Sequence, residues 1–281
     1  MNAWVPRAFT AVTKLLDRKE QWKDPRAQQA IWAESQALLA EGTWLPETMI
    51  EKDDLIAQSR KSGKKIHMGN LLTICSIKFA EMAQEYWKYK GRICFRGDDV
   101  RDEYGAPAVF QNLSASPTGV HTTNSTVAYG SLHGHSTQVS DAIRAYIQSN
   151  LNSKHETWVL IPPELRPKHW KARRPMCRLV KALYGHPESG GHWEAHLEKA
   201  VAAIGGEPVE NHPSSFFFAD SKMFLTVYVD DLLLAGPDGG HDKIWDGLKK
   251  QKIALEDAES LERFLGRTHI TTTAPTTNNI T

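Results

Sequence analysis

The stretch "MFLTVYVDDLLLAG", residues 223–236, decides how this chain is read. It is a run of apolar and β-prone residues broken by two adjacent carboxylates, Asp230 and Asp231. Asp is depleted in strands, and a buried carboxylate is expensive unless something pairs with it. No basic residue occurs between Lys222 and Lys243, so the sequence offers no nearby partner. Adjacent residues on a strand point to opposite faces. A tight turn at 229–231 brings both carboxylates towards one site, where a third from elsewhere can join them. Crowded carboxylates repel and are pushed towards protonation. A hard divalent cation relieves that repulsion, and Mg²⁺ takes oxygen ligands while keeping waters for substrate phosphates. A pair of exposed aspartates at a hairpin tip is the other reading of the same residues.

"SSFFFAD" before this stretch completes a hairpin with Asp220 and Ser221 near its turn. "QVSDAIRAYIQSNL", 138–151, reads as a strand passing into a helix, with Asp141 placed either to cap that helix or to face a site. "ETWVLIPPELRP" is a short strand stopped by two prolines. "RLVKALYGHPESGGHWEAHLEKAVAAIGG" begins as a strand, turns at "GHPESGG" and continues as a helix closed by Gly205 and Gly206. Beyond the central stretch come a helix, "GHDKIWDGLKKQKIAL", and a short strand-like "LERFLGRTHI". Residues 1–42 carry apolar positions at three- and four-residue spacing in "FTAVTKLLDRKEQW" and "PRAQQAIWAESQALLAEG", which predicts two helices. "SRKSGKK" is a basic turn before the β-rich "IHMGNLLTICSIKF", and "TTTAPTTNNIT" is a loose tail. Helices and hairpins mix as in an α+β fold.

In "KYKGRICFRG", 88–97, strand alternation puts Lys88, Lys90, Arg92 and Arg96 on one side and Tyr89, Ile93 and Phe95 on the other. Two readings stand: a solvated face over a core, or a cationic rail for phosphates, the source of sequence-independent nucleic-acid affinity. Net charge is only +1, so a nucleic-acid surface has to be local. The chain has 281 residues, 41% of them hydrophobic and 24% charged, enough for one large globular domain or two ordinary ones. Three widely spaced cysteines without a CxxC pair argue against a disulfide framework or a zinc knuckle and for a reducing compartment. Neither a secretion signal nor a membrane-length apolar run is present, which leads to the expectation of an intracellular protein with no membrane partner.

Taken together, the motifs resemble the reverse transcriptases of copia-type LTR retrotransposons. "YVDD" between apolar strands is similar to their active-site hairpin. Asp141 followed five residues later by Tyr146 is similar to their first motif, and "LVKALYGHPESGGHWEAHL" to their "KALYGLKQSPRAW" block. "WAESQALLAEGTW" resembles the opening of their polymerase domain, and "RFLGRTHI" their "FLG" block. The five follow in order from about Trp32 to Ile270.

The resemblance implies an RNA-directed DNA polymerase with a right-hand fold, its palm an antiparallel sheet backed by helices. It implies fingers at about 43–140 and 152–177, palm at about 141–151 and 178–240, and a partial thumb at 241–270. Residues 1–31 would be a helical lead-in and 271–281 a flexible tail. Asp141 and Asp230 would be metal ligands and Asp231 the third acidic member, holding Mg²⁺, with Mn²⁺ as a substitute. Template with primer (RNA or DNA) and dNTPs would be the partners. Tyr146, Ala142 and residue 188 would lie by the incoming nucleotide. Lys88, Lys90, Arg92 and Arg96 in the fingers, with Tyr228, Phe264, Leu265 and Gly266, would meet nucleic acid. The location would be cytoplasmic, in a virus-like particle, or nuclear.

Two departures qualify this. Glu188 stands where the family block has Gln, and Gly190 stands at the following Pro position; a carboxylate beside a triphosphate repels it unless a cation screens it. RNase H and integrase are expected on a parent polyprotein but not here, so the chain is expected to be an excised or truncated piece. A catalytically inactive remnant that at most binds nucleic acid is the alternative function. His192 and His196 lie one helical turn apart, but Glu194 is one position away from its place in H-E-x-x-H, about 100° around the helix, which disfavours a zinc hydrolase.

Overall fold

The computed structural model describes residues 12–110, 116–270 and 272. The chain divides into two compact units, one formed by residues 1–113 and 149–192, the other by 114–148 and 193–281.

In the first unit a short strand β1 (Thr13–Leu15) precedes helices α1 (Arg18–Lys23) and α2 (Pro25–Ala40). The strand falls inside a segment expected to be helical throughout. The capping box of Asp17 and Glu20 explains where the helix begins instead, since Asp17 accepts from the Glu20 N–H and the Glu20 side chain accepts from the Asp17 N–H. Asp24 then caps α2, with Pro25 at its first position. Strand β2 (Trp44–Glu51) and helix α3 (Lys52–Ser62) follow, and α3 ends at Gly63 with φ 68°. The long strand β3 (Ile66–Lys78) pairs in two directions. Its first five residues run parallel to β6 (Glu156–Leu160), and Leu71–Lys78 pair antiparallel with β4 (Lys88–Phe95). Strand β7 (Pro175–Leu179) joins β6 to β2, giving the order β1-β3-β6-β7-β2 with β4 attached to β3. Helix α2 lies directly on β4. A Cβ on Gly91 would stand 2.4 Å from the Ala30 carbonyl oxygen, so the close approach requires glycine there.

The second unit contains helix α4 (Val120–Gly130), formed from a Ser/Thr/Asn-rich segment, then strand β5 (His135–Asp141). Strands β8 (Glu207–Pro208), β9 (Ser215–Phe218), β10 (Met223–Tyr228), β11 (Asp231–Pro237) and β12 (Glu259–Ser260) complete an antiparallel sheet in the order β12-β5-β11-β10-β9-β8. Helix α5 (Ser189–Ala203) begins in the first unit and continues in the second, followed later by α6 (His241–Lys250) and the small hairpin β13 (Arg263–Phe264) and β14 (Arg267–Thr268). Met223, Leu225, Val227, Leu232 and Leu234 pack with Trp193, Leu197, Val201, Trp245 and Leu248 of α5 and α6 in one buried core. The opposite face of β10 and β11 meets α4, where Thr126 and Thr226 share a buried 2.6 Å hydrogen bond. Covered on both faces, β11 is buried from Leu232 to Gly236, which is why its sequence is a continuous apolar run.

Segment 138–151 departs from expectation. Asp141 does not cap a helix; it ends β5, and only a single 3₁₀ turn, Ala145–Gln148, follows. The Ala142 N–H goes to the Asp230 carbonyl and the Ile143 N–H to the Ala254 carbonyl, which ties this segment across the sheet end. The loose-tail reading of 271–281 concerns residues that, Thr272 apart, lie outside the described ones.

Candidate active site

Asp141 on β5 stands opposite Asp231 on β11, and Asp231 stands opposite Tyr228 on β10. Register partners share a face of the sheet. The three residues therefore form a row across three strands at one end of the second unit's sheet. Asp230 belongs to the two-residue turn Val229–Asp230 that joins β10 to β11.

The turn is conformationally demanding. Val229 has φ 60°, at the loop position where primed hairpin turns use Gly or Asn. A β-branched residue at positive φ is a genuine outlier. Such strain costs about 1–3 kcal/mol and persists only where the surroundings over-determine it. Here the buried Trp193 indole N–H donates to the Val229 carbonyl at 2.7 Å, and the Ala142 N–H donates to the Asp230 carbonyl at 2.7 Å. The second bond ties the segment bearing Asp141 to the turn bearing Asp230.

The carboxylates perturb one another. Burial first, then the charges of Asp141 and Asp230, push Asp231 up to about 6, and a hydrogen bond with the Asp141 side chain adds to the rise. The half-buried Tyr146 hydroxyl is also raised, by burial and then by the charge of Asp230. Among the described residues no three His, Cys, Asp or Glu side chains form a metal-holding group. Asp141, Asp230 and Asp231 are thus a hydrogen-bonded pair and a third charge acting on it, rather than a closed cage. The donor set, carboxylate oxygens alone, has the chemistry that suits a hard cation.

Ala142 and Glu188, two residues expected beside a nucleotide, are both buried. Ala142 is 5% exposed, with its methyl in the apolar core and its N–H held by Asp230. Glu188 belongs to the first unit and is 4% exposed. Its carboxylate accepts from the Ser153 hydroxyl, and its N–H donates to His186 Nδ1. Burial holds His186 down to about 4, so a neutral imidazole lies beside that carboxylate. In the inward-folded "GHPES" turn the Ser153 hydroxyl bonds the buried carboxylate, and His186 Nδ1 takes up the backbone N–H.

On β4, Lys88, Lys90 and Arg92 are exposed, as is Arg96 just beyond it, while Ile93 and Phe95 are buried. Arg96 pairs with Asp98 at 3.1 Å, the Arg92 guanidinium lies 5.8 Å from the Tyr184 ring centre, and Lys88 Nζ lies 5.7 Å from that of Phe79. The first unit also has a basic cleft of about 660 Å³ that sequence reading missed, lined by Lys64, Lys65, Lys154 and Arg178. Glu156 pairs with Lys64 and Arg178, whereas no ion pair involves Lys65 or Lys154 among the described residues. The "SGKK" turn was its only local signal, since the remaining residues converge from β6, β7 and the loop before β6.

In the second unit Phe264 is buried, and the turn of its hairpin is Leu265–Gly266, both at positive φ. His192 is half-buried with its Nε2 unpartnered, and burial lowers its pKa. Tilted against Trp193, the His196 ring lies 6.1 Å away between centres. Among the described residues no helix is long and apolar enough to cross a membrane.

No family model matches the chain. Over 132 residues, 45% of the chain, it is 31% identical to the Retrovirus-related Pol polyprotein from transposon RE1 of Arabidopsis thaliana, of which the match covers 8%. Over 113 residues, 40% of the chain, it is 30% identical to the Truncated transposon Ty1-A Gag-Pol polyprotein of Saccharomyces cerevisiae, covering 9% of it. It is 30% identical over 93 residues to the Putative transposon Ty5-1 protein YCL074W of the same yeast, covering 31% of this chain and 29% of that one. The chain therefore matches only a small part of the length of these relatives. Retrotransposon Gag-Pol polyproteins are its homologues, and they support a retroelement origin for it.

Proposed function

We propose that the chain is the polymerase segment of a copia-type retrotransposon polyprotein and performs RNA-directed DNA synthesis, with the second unit as palm and the first as fingers. The observation that carries this reading is the row Asp141–Asp231–Tyr228 with Asp230 in the adjoining turn. It brings acidic residues far apart in sequence together at one end of a sheet whose central strands are apolar. Asp141 and Asp230, with Asp231, would hold Mg²⁺. When bound, such ions activate a primer 3′-hydroxyl and stabilise in-line displacement at an α-phosphate. The protein's own part is positioning: Trp193 and Ala142 fix the turn, and Tyr146 stands where Asp230 acts on its hydroxyl. As a half-buried ring beside the carboxylates, Tyr146 would exclude a ribose 2′-hydroxyl sterically. Template and primer phosphates would be met by the exposed face of β4 and by Lys65 and Lys154.

Primer extension on a homopolymer template with Mg²⁺ or Mn²⁺ tests this. Template-dependent incorporation of dNTPs that Asp230→Asn abolishes is the expected result. Binding of primer–template without incorporation under either cation would move the chain to the inactive-remnant reading.

A further inference from the structure

Helix α2 already contains one cation held between rings and a carboxylate. The Arg26 guanidinium lies 4.8 Å from the Tyr89 ring centre, 5.9 Å from that of Trp87, and 3.6 Å from the Asp24 carboxylate. A second setting of the same chemistry lies in the first unit without a cation of its own. It is a cavity of about 300 Å³ walled by Trp22, Trp32, Gln21, Gln28, Thr73 and Glu164. Both indoles are about half exposed, 52% for Trp22 and 49% for Trp32, although each is carried by a helix, α1 and α2 respectively. Glu164 Oε1 accepts from the Thr73 hydroxyl at 2.8 Å, while its enclosed Oε2 has no hydrogen-bond partner. No ion pair reaches Glu164 among the described residues, and no Lys or Arg lines the cavity. The side-chain amides of Gln21 and Gln28 each donate one hydrogen bond, to the Leu16 and Trp22 carbonyls.

We propose that this cavity binds a guanidinium or ammonium group, as carried by an arginine or lysine side chain of a partner polypeptide. Indole faces attract such cations through the ring quadrupole, most strongly for Trp and when the cation is desolvated. An enclosed carboxylate without a counter-ion adds attraction that a neutral ligand cannot use. An apolar occupant would leave that carboxylate unpaired, and an anion would be repelled by it. The site uses none of the acidic or basic residues that the polymerase reading assigns to metal, nucleotide or template.

The test uses the full chain labelled with 5-fluorotryptophan, the resonances of Trp22 and Trp32 being assigned with Trp22→Phe and Trp32→Phe. N-acetyl-arginine amide should shift both resonances saturably. Its neutral isostere N-acetyl-citrulline amide should bind at least tenfold more weakly, and Glu164→Gln should weaken the arginine probe tenfold or more. Because Glu164 also bonds Thr73, Trp32→Gln on the exposed helix face serves as a second variant and should give the same loss. Equal binding of the citrulline probe, undiminished binding to either variant, or no shift at the two indoles would overturn the proposal. Tighter binding of spermidine than of the arginine probe would overturn the assignment to a protein side chain.

Discussion

Strands β4 and β11 are of similar length and both carry charge, yet they treat it in opposite ways. β4 alternates: its basic residues face outward and its apolar ones inward, with helix α2 on the buried side. β11 is covered on both faces and admits charge only at Asp231, its first residue, next to the strained turn at Val229. Charge on a half-solvated face costs little and specifies little. Charge at the end of a fully covered strand raises the pKa of its own group and is kept only where the backbone is held against strain. The difference separates residues that any soluble strand could carry from residues whose retention calls for a function.

The largest expected effect lies on the β11 side. Asp230→Asn should lower primer extension about a thousandfold or more while leaving primer–template affinity nearly unchanged, because phosphate contacts supply most of that affinity. Single-turnover kinetics beside filter binding would separate the two, and extension at near wild-type rate would make the turn purely structural. Next comes Tyr146→Val. As a steric gate, its loss should raise ribonucleotide incorporation about tenfold or more relative to deoxyribonucleotide in a competition reaction. If Tyr146 serves only the core, the same change costs roughly 2 kcal/mol of stability and depresses both substrates alike.

On the β4 side, Lys90→Ala with Arg92→Ala should reduce template affinity and flatten its dependence on salt. The log–log slope should fall by roughly 0.9 for each phosphate no longer neutralised. An unaltered slope would return that face to plain solvation. Smaller still is the effect of Val229→Gly, which relieves positive-φ strain and should stabilise the fold by about 1 kcal/mol in urea titration. A decrease in stability would show that the Val229 side chain packs more than its backbone strains.

Asp231 gives a pH signature. Its folded pKa is raised from 3.8 to about 6, so the folded form holds the proton longer than the unfolded chain. Its contribution to stability is fully present below about pH 4 and is lost as pH rises through about 6. Asp231→Asn should remove that decline, and urea melts between pH 4 and pH 7 would reveal it.

Much of this was legible in the sequence. The hairpin of β9 and β10 and the turn before Asp231 follow from apolar runs broken at Asp220–Ser221 and at Asp230–Asp231. The β4 faces follow from period two, and the helix α5 from "GGHWEAHLEKAVAA" closed by glycines. These rest on periodicity and turn chemistry, which are local and survive without knowledge of neighbours. Other features were decided only by tertiary structure. Segment 138–151 carries a helix-like pattern, yet the Ala142 and Ile143 N–H groups donate to the Asp230 and Ala254 carbonyls, because long-range partners at a sheet end outweigh a weak local propensity. A Ser/Thr/Asn-rich stretch became α4, since Thr126 and Thr226 satisfy each other in its buried face. Glu188 turned inward to Ser153, and Lys64, Lys65, Lys154 and Arg178 came to line one cleft, through pairings between residues distant in the chain. The sequence by itself determined which residues alternate, turn and carry charge. Which of those charges meet, and which are buried, depended on strand register and packing, because burial and pairing are properties of neighbours in space rather than in sequence.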